Sequence, residues 1–238
     1  MAVFAGAIAQ RVSGMGFALV ATPALVLLIG PFDGVLMVNL CGAASALIVC
    51  TRVWRAIRWK HYFLLAIPAL LAIIPGALIS IAVSGPNLQI GVGVLLGVAL
   101  TTSLVVTRGN FTTPTVPTGI VAGSVSGLMS ATAGIGGPAV GIFAVLTGWE
   151  HRSFAATVQP FFVTLGLSAF ISKIIATGGA LPAHEWWLWL VVIGCTLAGL
   201  TAGELVAKRV SVRVARASVI VISYLGALVA IVDGAQSL

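Results

Sequence analysis

The sequence predicts an all-α polytopic membrane protein built as two inverted repeats, each a glycine-broken re-entrant helical hairpin plus three transmembrane helices, eight hydrophobic segments in all. Three observations predict it. First, 60% of the 238 residues are hydrophobic and 7% charged, with mean hydropathy +1.18, against about 25% charged in soluble domains. With only 12 Lys+Arg and 5 Asp+Glu, polar side chains cannot cover a body of this size, and apolar surface must face lipid. Second, the apolar runs have span-like lengths and are bounded by polar breaks. Third, a glycine turn recurs once in each half.

Six segments suit single crossings of about 20 residues: 34–53, 62–83, 87–107, 154–176, 185–206 and 213–232. Their boundaries are Arg52 to Lys60, Ser84-Gly85-Pro86-Asn87, Arg108-Gly109-Asn110, Trp149 to Arg152, Gly178-Gly179 with Pro182, and Lys208 to Arg216. Such polar, glycine and proline clusters punctuate a chain. Two further stretches, 2–30 and 115–148, are too long for one span and are broken near their middles by Gly14-Met15-Gly16 and Gly134-Ile135-Gly136-Gly137-Pro138. Glycine loosens a helix and proline begins one well, so each stretch is expected to form two half-helices joined by an irregular turn.

The basic residues of the loops 52–60 and 208–216 place both loops in the cytoplasm by the positive-inside rule. That requires an even number of crossings between them, which favours six full spans and two re-entrant hairpins over eight full spans. The halves echo each other: Gly14-x-Gly16 matches Gly134-x-Gly136, and Trp59 matches Trp186. Residues 1–110 are then an N-terminal membrane repeat and 111–238 a C-terminal one, together one transport domain. An odd number of crossings per repeat inverts the second copy and puts the site at the midplane.

The net charge of +7 and pI near 10.2 report topology here, and no nucleic acid partner is expected. Cys41, Cys50 and Cys195 form no CxxC pair and no metal-spaced cluster, so disulfide and zinc roles are excluded. The N-terminal stretch has no basic region ahead of its apolar run, and no cleaved signal peptide is expected. No GxxxxGK[ST] motif and no catalytic constellation occur. GSVSG at 123–127 has Val125 at the position that a GxSxG elbow needs for serine, and His61, His151 and His184 lie at segment ends. Neither enzyme activity nor a cofactor is expected.

The strings QRVSGMGFALVATPALVLLIGPFDGVLMVNL and GLMSATAGIGGPAVGIFAVLTGWEHRSFAATVQPFF resemble the two signature stretches of the sulfite exporter TauE/SafE-type permeases, the TSUP family. Similarity extends over essentially the whole chain. The resemblance implies a carrier of the bacterial inner membrane for small sulfur- or carbon-containing oxyanions such as sulfite, organosulfonates or sulfoacetate. The chain begins almost directly at the first motif, so the first half-helix is expected to be short.

An anion entering hydrocarbon must exchange its hydration for fixed donors. Half-helices at 17–29 and 138–147 would each begin just after a glycine turn, so two positive helix ends with up to four free N–H groups apiece would converge on one place. The candidate substrate-binding residues are therefore Gln10, Arg11, Ser13, Gly14, Gly16 and Phe17 at the first turn, and Thr132, Gly134, Gly136 and Gly137 at the second, with Ser130 beside them. Asn39 and Gln159 each follow their turn by 23 residues and complete the set. Tight helix crossing is the rival reading of the paired glycines, and the leading one for Gly91, Gly97, Gly123, Gly127 and Gly199. Interhelical hydrogen bonding is the rival for the two amides. Arg11 is read either as an anion-binding or gating charge or as a snorkelling side chain.

Lys173 is expected to snorkel outward, Glu204 to pair with Lys208, and Asp33, Glu150, His151 and Arg152 to be solvated loop charges or a gate. The six tryptophans lie near segment ends, as interfacial anchors do. The expected partners are a small anion and the lipid bilayer, with a homodimer as a candidate assembly. The reading that results is an alternating-access carrier; an anion channel and a non-transporting scaffold subunit are its rivals.

Overall fold

The computed structural model describes residues 2–13, 16–83, 85–108, 113–179, 194–196, 198–199, 201–203 and 212–238. Among these the regular structure is helical, without strands. The helices are α1 (Ala2–Ser13), α2 (Gly16–Ile29), α3 (Pro31–Val53) continued by a 3-10 turn, α4 (Trp59–Ala82) and α5 (Gly85–Arg108). They are followed by α6 (Thr115–Ala133), α7 (Gly137–Leu146), α8 (His151–Ala176) and α9 (Val212–Gln236). Six helical segments among the described residues are long and apolar enough to cross a membrane: Pro31–Ala56, Trp59–Ala82, Gly85–Val106, Thr115–Ala133, His151–Ala176 and Ala217–Gln236. Gly16–Ile29 and Gly137–Leu146 are apolar but shorter. The chain is a multi-pass helical membrane protein.

Five of these six segments coincide, to within a few residues at most ends, with spans read from the sequence. The sixth expected span, 185–206, falls largely outside the described residues, although 194–196, 198–199 and 201–203 are helical. The stretch 115–148 breaks where the sequence places its break, at 134–136 between α6 and α7, while its first arm, α6, is longer than a half-helix and runs 19 residues without interruption, about 28 Å at 1.5 Å per residue. Its interior glycines do not loosen it because they face another helix. A Cβ at Gly119 would press on Leu64, one at Gly123 on Leu65 O and Pro68, and one at Gly127 on the Ala69 backbone. Gly119, Gly123 and Gly127 thus form a groove at i, i+4, i+8 that lets α4 and α6 lie backbone to backbone, the small-residue packing that membrane helices use in place of a hydrophobic driving force. Gly199 likewise abuts the α1 backbone at Phe4. Among the described residues, a Cβ at Gly91 or Gly97 would meet nothing within 4 Å.

Both glycine-broken stretches double back. In the first, a Cβ at Gly6 of α1 would sit 3.0 Å from Phe17 O and 3.3 Å from Ala21 Cβ of α2. In the second, the Thr113 N–H donates to Leu146 O at 3.1 Å, so the approach to α6 and the end of α7 are neighbours.

One end of the bundle carries the Arg52 to Lys60 loop, the 146–152 turn and the early part of α9. Arg58 N–H donates to Thr157 Oγ1 at 2.9 Å, His61 stacks on Trp149 at 4.4 Å, and Val219 and Ile220 line a pocket with Trp149 and His151. This is the basic end. Trp54 and Trp59 are exposed there, as interfacial anchors should be. The opposite end joins the α2–α3 turn, the α4–α5 connection and the C-terminal part of α9, where Gln89 Nε2 donates to Asp233 Oδ2 at 2.7 Å.

Helix α9 crosses α2 where proline has freed a carbonyl. Pro23 has no N–H for Leu19 O, its i−4 acceptor. Ser223 Oγ lies 3.0 Å from Leu19 O and 2.6 Å from Val219 O, so one hydroxyl serves both. Replacing Ser223 by alanine removes this donor from Leu19 O, and thermal unfolding in detergent should show a loss of about 1 kcal/mol. An unchanged melting temperature would mean that the carbonyl finds another donor.

Candidate functional site

The second glycine turn is fixed from within. Gly134 caps α6 in the left-handed region at φ 70°, with its N–H on Ser130 O at 2.9 Å and the Ile135 N–H reaching back to Met129 O at 3.3 Å. Only glycine takes that conformation without steric cost. Ser126 Oγ then donates to Gly136 O at 2.6 Å. In a trans peptide the following N–H points the other way, so this bond directs the Gly137 N–H away from α6. Pro138 follows at the second position of α7 and offers no N–H, so at most three of the four donors expected at this helix start exist.

The start of α7 meets the start of α2 at a small buried cavity of about 50 Å³. Its polar walls are Gln10 of α1, Asn39 of α3 and Ser130 of α6. Its floor is backbone at Gly134, Gly136 and Gly137, and Phe17, Phe162, Leu165 and Gly166 close it. Among the described residues no acidic side chain lines it. The volume suits a few water-sized groups, the scale of a small oxyanion rather than of a nucleotide or a lipid.

A strut crosses the chain here. Asn39 Nδ2 donates to Ser130 O at 3.0 Å and to Val35 O at 3.0 Å, while Ser130 Oγ donates to Asn39 Oδ1 at 3.0 Å. The two residues are 91 positions apart and both are buried. Gly166 lets α8 lie directly on the Asn39 backbone.

Gly137 belongs also, with Pro138 beside it, to a larger vestibule of about 460 Å³ between α5, α7, α8 and α9. It is lined by Ser103, Trp149, His151 and Val219 among others, at the basic end. The small cavity therefore has the vestibule as its neighbour, with the first turn of α7 between them.

Of the residues singled out in the sequence, Gln10, Phe17, Asn39, Gly134, Gly136 and Gly137 line this one cavity. Gly16 is buried at the start of α2 but does not line it. Thr132 turns its hydroxyl onto Leu128 O at 2.9 Å, within its own helix. Gln159 Nε2 bonds Ala155 O at 3.0 Å, also on its own helix, and its side chain does not line the cavity. Gly14, the side chains of Arg11 and Ser13, and the pair Glu204 and Lys208 lie outside the described part of the structure. Glu150 approaches Arg58 at 3.8 Å with both side chains more than half exposed, a pair of little energetic weight.

Sequence reasoning passed over Ser126 and the closing residues Gly42, Phe162 and Gly166. Ser126 was visible only as the second serine of GSVSG, and its role is set by a carbonyl ten residues later. Gly42 and Phe162 share the 120-residue offset that relates Gly14 to Gly134, and that offset was the signal available. At Gly136 a Cβ would meet Ser126 Oγ at 2.7 Å and Leu165 Cδ1 at 2.9 Å, so the absent side chain also serves the packing of the turn.

The chain matches the family model for the sulfite exporter TauE/SafE over residues 1–230. No match was found among curated proteins or among solved structures. With a match along nearly its whole length and the apolar helices described above, the chain belongs to the TauE/SafE sulfite exporter family, whose members are membrane permeases and exporters of anions.

Proposed function

We propose that this permease is a secondary carrier that moves a small oxyanion, sulfite or an organosulfonate such as sulfoacetate, across a bacterial inner membrane by alternating access. The observation that carries the reading is the acid-free cavity at which two helix starts, Gln10 and the Asn39–Ser130 pair converge. Gln10 and the backbone N–H groups at the start of α7 take the anion. Phe17 packs against it, and Asn39 and Ser130 hold the two hairpins in register around it. Gly14 and the Arg11, Ser13, Thr132 and Gln159 side chains supply or support donors when the halves rearrange.

The two halves are inverted repeats, and the cavity lies on their pseudo-symmetry axis. Supporting this, the 120-residue offset relates Gln10 to Ser130, Phe17 to Gly137 and Gly42 to Phe162, all of which line the cavity. The basic end is cytoplasmic, since the Arg52 to Lys60 cluster lies there and the early part of α9, whose first turns carry Arg213 and Arg216 in sequence, lies beside it. The vestibule beside Gly137 is then the cytoplasmic approach.

The test is thermal stabilisation of the purified protein by sulfite, thiosulfate, sulfoacetate, taurine and carboxylate controls, run beside Gln10→Ala. Ligands of the folded state raise its melting temperature by mass action. One anion class should do so in the wild type, with affinity about tenfold weaker in Gln10→Ala, the scale of one hydrogen bond to a charged group. A folded protein that responds to none of these anions would overturn the reading. Gly136→Leu is unsuitable as the control, because its side chain would displace Ser126 and Leu165. Counterflow-stimulated flux in proteoliposomes separates a carrier from a channel.

A further inference from the structure

Lys173 does not snorkel. Its side chain is fully buried, its ammonium stands 4.7 Å from the centre of the Phe32 ring, and its Nζ has no hydrogen-bond partner among the described residues. The Asp33 carboxylate is within electrostatic reach. A buried cation whose three donors are unused is an expensive arrangement, and within membrane helices such groups mark ion pathways.

Its position gives the arrangement a direction. On α8, residues 162, 166, 169 and 173 follow one another at helical spacing on one face. Phe162 and Gly166 line the central cavity, and Ala169 beyond them is fully buried. Lys173 comes two turns after Gly166, about 10 Å along the axis. One turn later Thr177, whose hydroxyl bonds Lys173 O at 3.0 Å, lines an open pocket of about 440 Å³ at the end opposite the vestibule. Helix α3 repeats the order from the facing side: Asn39 and Ala43 line the cavity, while Phe32 and Asp33 line the opposite pocket. Lys173 thus stands between the cavity and the far end, held shut behind Phe32.

We propose that Lys173, masked by Phe32 and Asp33, is a second anion subsite, which takes the oxyanion between the central cavity and the end of the bundle remote from the vestibule once Phe32 moves aside. The proposal rests on the carrier reading above. Lys173 differs from the cavity residues in being an ammonium group, able to meet an anion with charge as well as with hydrogen-bond donors. It holds the anion only on the far leg of its path, so binding at the cavity survives its loss while transport does not.

The experiment compares wild type, Lys173→Met and Lys173→Arg. Binding of sulfite, thiosulfate and sulfoacetate is read by thermal stabilisation in detergent, and flux of the same radiolabelled anions is read in proteoliposomes. Replacing a buried ion by an apolar side chain of similar length is commonly neutral or stabilising, so Lys173→Met is expected to fold. Its binding should stay within about twofold of wild type, while flux falls about ten- to hundredfold, the scale of a charge-assisted hydrogen bond. Lys173→Arg should restore flux at least in part. Wild-type flux in Lys173→Met would overturn the subsite and leave the carrier reading standing. A Lys173→Met protein that fails to fold, or a Lys173→Arg protein as inactive as Lys173→Met, would assign the lysine to the fold and overturn the subsite as well. Absence of flux of every anion in the wild type would overturn the carrier reading and the subsite with it.

Discussion

Gly127→Leu should yield no monodisperse protein. The first atom of the new side chain would lie against Ala69 O, with Ala69 C and Cα at 2.8 Å. These are backbone atoms of a neighbouring helix, which cannot swing aside as a side-chain tip can. Overpacking a tight core costs about 1–3 kcal/mol where side chains can adjust, and here the whole of α4 would have to withdraw from α6. The second turn hangs from α6 through the Gly134 cap and the Ser126 bond, so the cavity would be lost with it. Size-exclusion profiles in detergent provide the check, with Gly97→Leu as the comparison. Among the described residues a Cβ at Gly97 would meet nothing within 4 Å, and leucine has the better helix propensity, so Gly97→Leu should be recovered like wild type. Equal behaviour of the two variants would remove the assigned role of the Gly119, Gly123, Gly127 groove.

Asn39→Leu should separate transport from stability. The substitution deletes both donor bonds of Asn39 and leaves the Ser130 hydroxyl without its acceptor. In membranes such bonds are worth about 1 kcal/mol or less each, so the protein should remain folded with a melting temperature only a few degrees lower. Flux should fall much further, about a hundredfold, because Asn39 ties α3 to the turn that presents the Gly136 and Gly137 backbone to the cavity. Positional errors at such a site are amplified in rate. Asn39→Asp keeps the acceptor for Ser130 but adds a negative charge to an acid-free cavity, and it should be at least as inactive. Flux that falls only in proportion to the lost stability would reduce Asn39 to an ordinary interhelical tie.

Much of the candidate site was legible in the sequence because its residues belong to two local motifs. A glycine turn followed by an apolar half-helix announces itself over a dozen residues, whichever helices lie around it. The starts of α2 and α7 fall within one residue of the expected positions 17 and 138. Gln10 and Ser130 were found by nearness to those turns. Thr132 and Gln159 were equally near in sequence or in symmetry, yet each bonds its own helix. The difference lies in helix rotation, which composition does not report.

The sequence by itself determined that this chain lives in lipid, where most of its spans begin and end, that it has two glycine turns, and to which family it belongs. These follow from hydropathy and from motifs whose physics is local: too few charges to cover a soluble body, and backbone conformations that only glycine accepts. Tertiary structure decided the rest. It kept α6 whole by giving its glycines a partner in α4, set Ser126 against Gly136 O, and joined Asn39 to Ser130 across 91 positions. It also turned Lys173 inward over Phe32 where a snorkelling side chain was expected. With 28 glycines in the chain, a packing glycine and a spare one read alike until the neighbouring helix is in place. The same holds for a lysine near a helix end, because only the opposing surface decides whether its charge faces water, a headgroup or the interior.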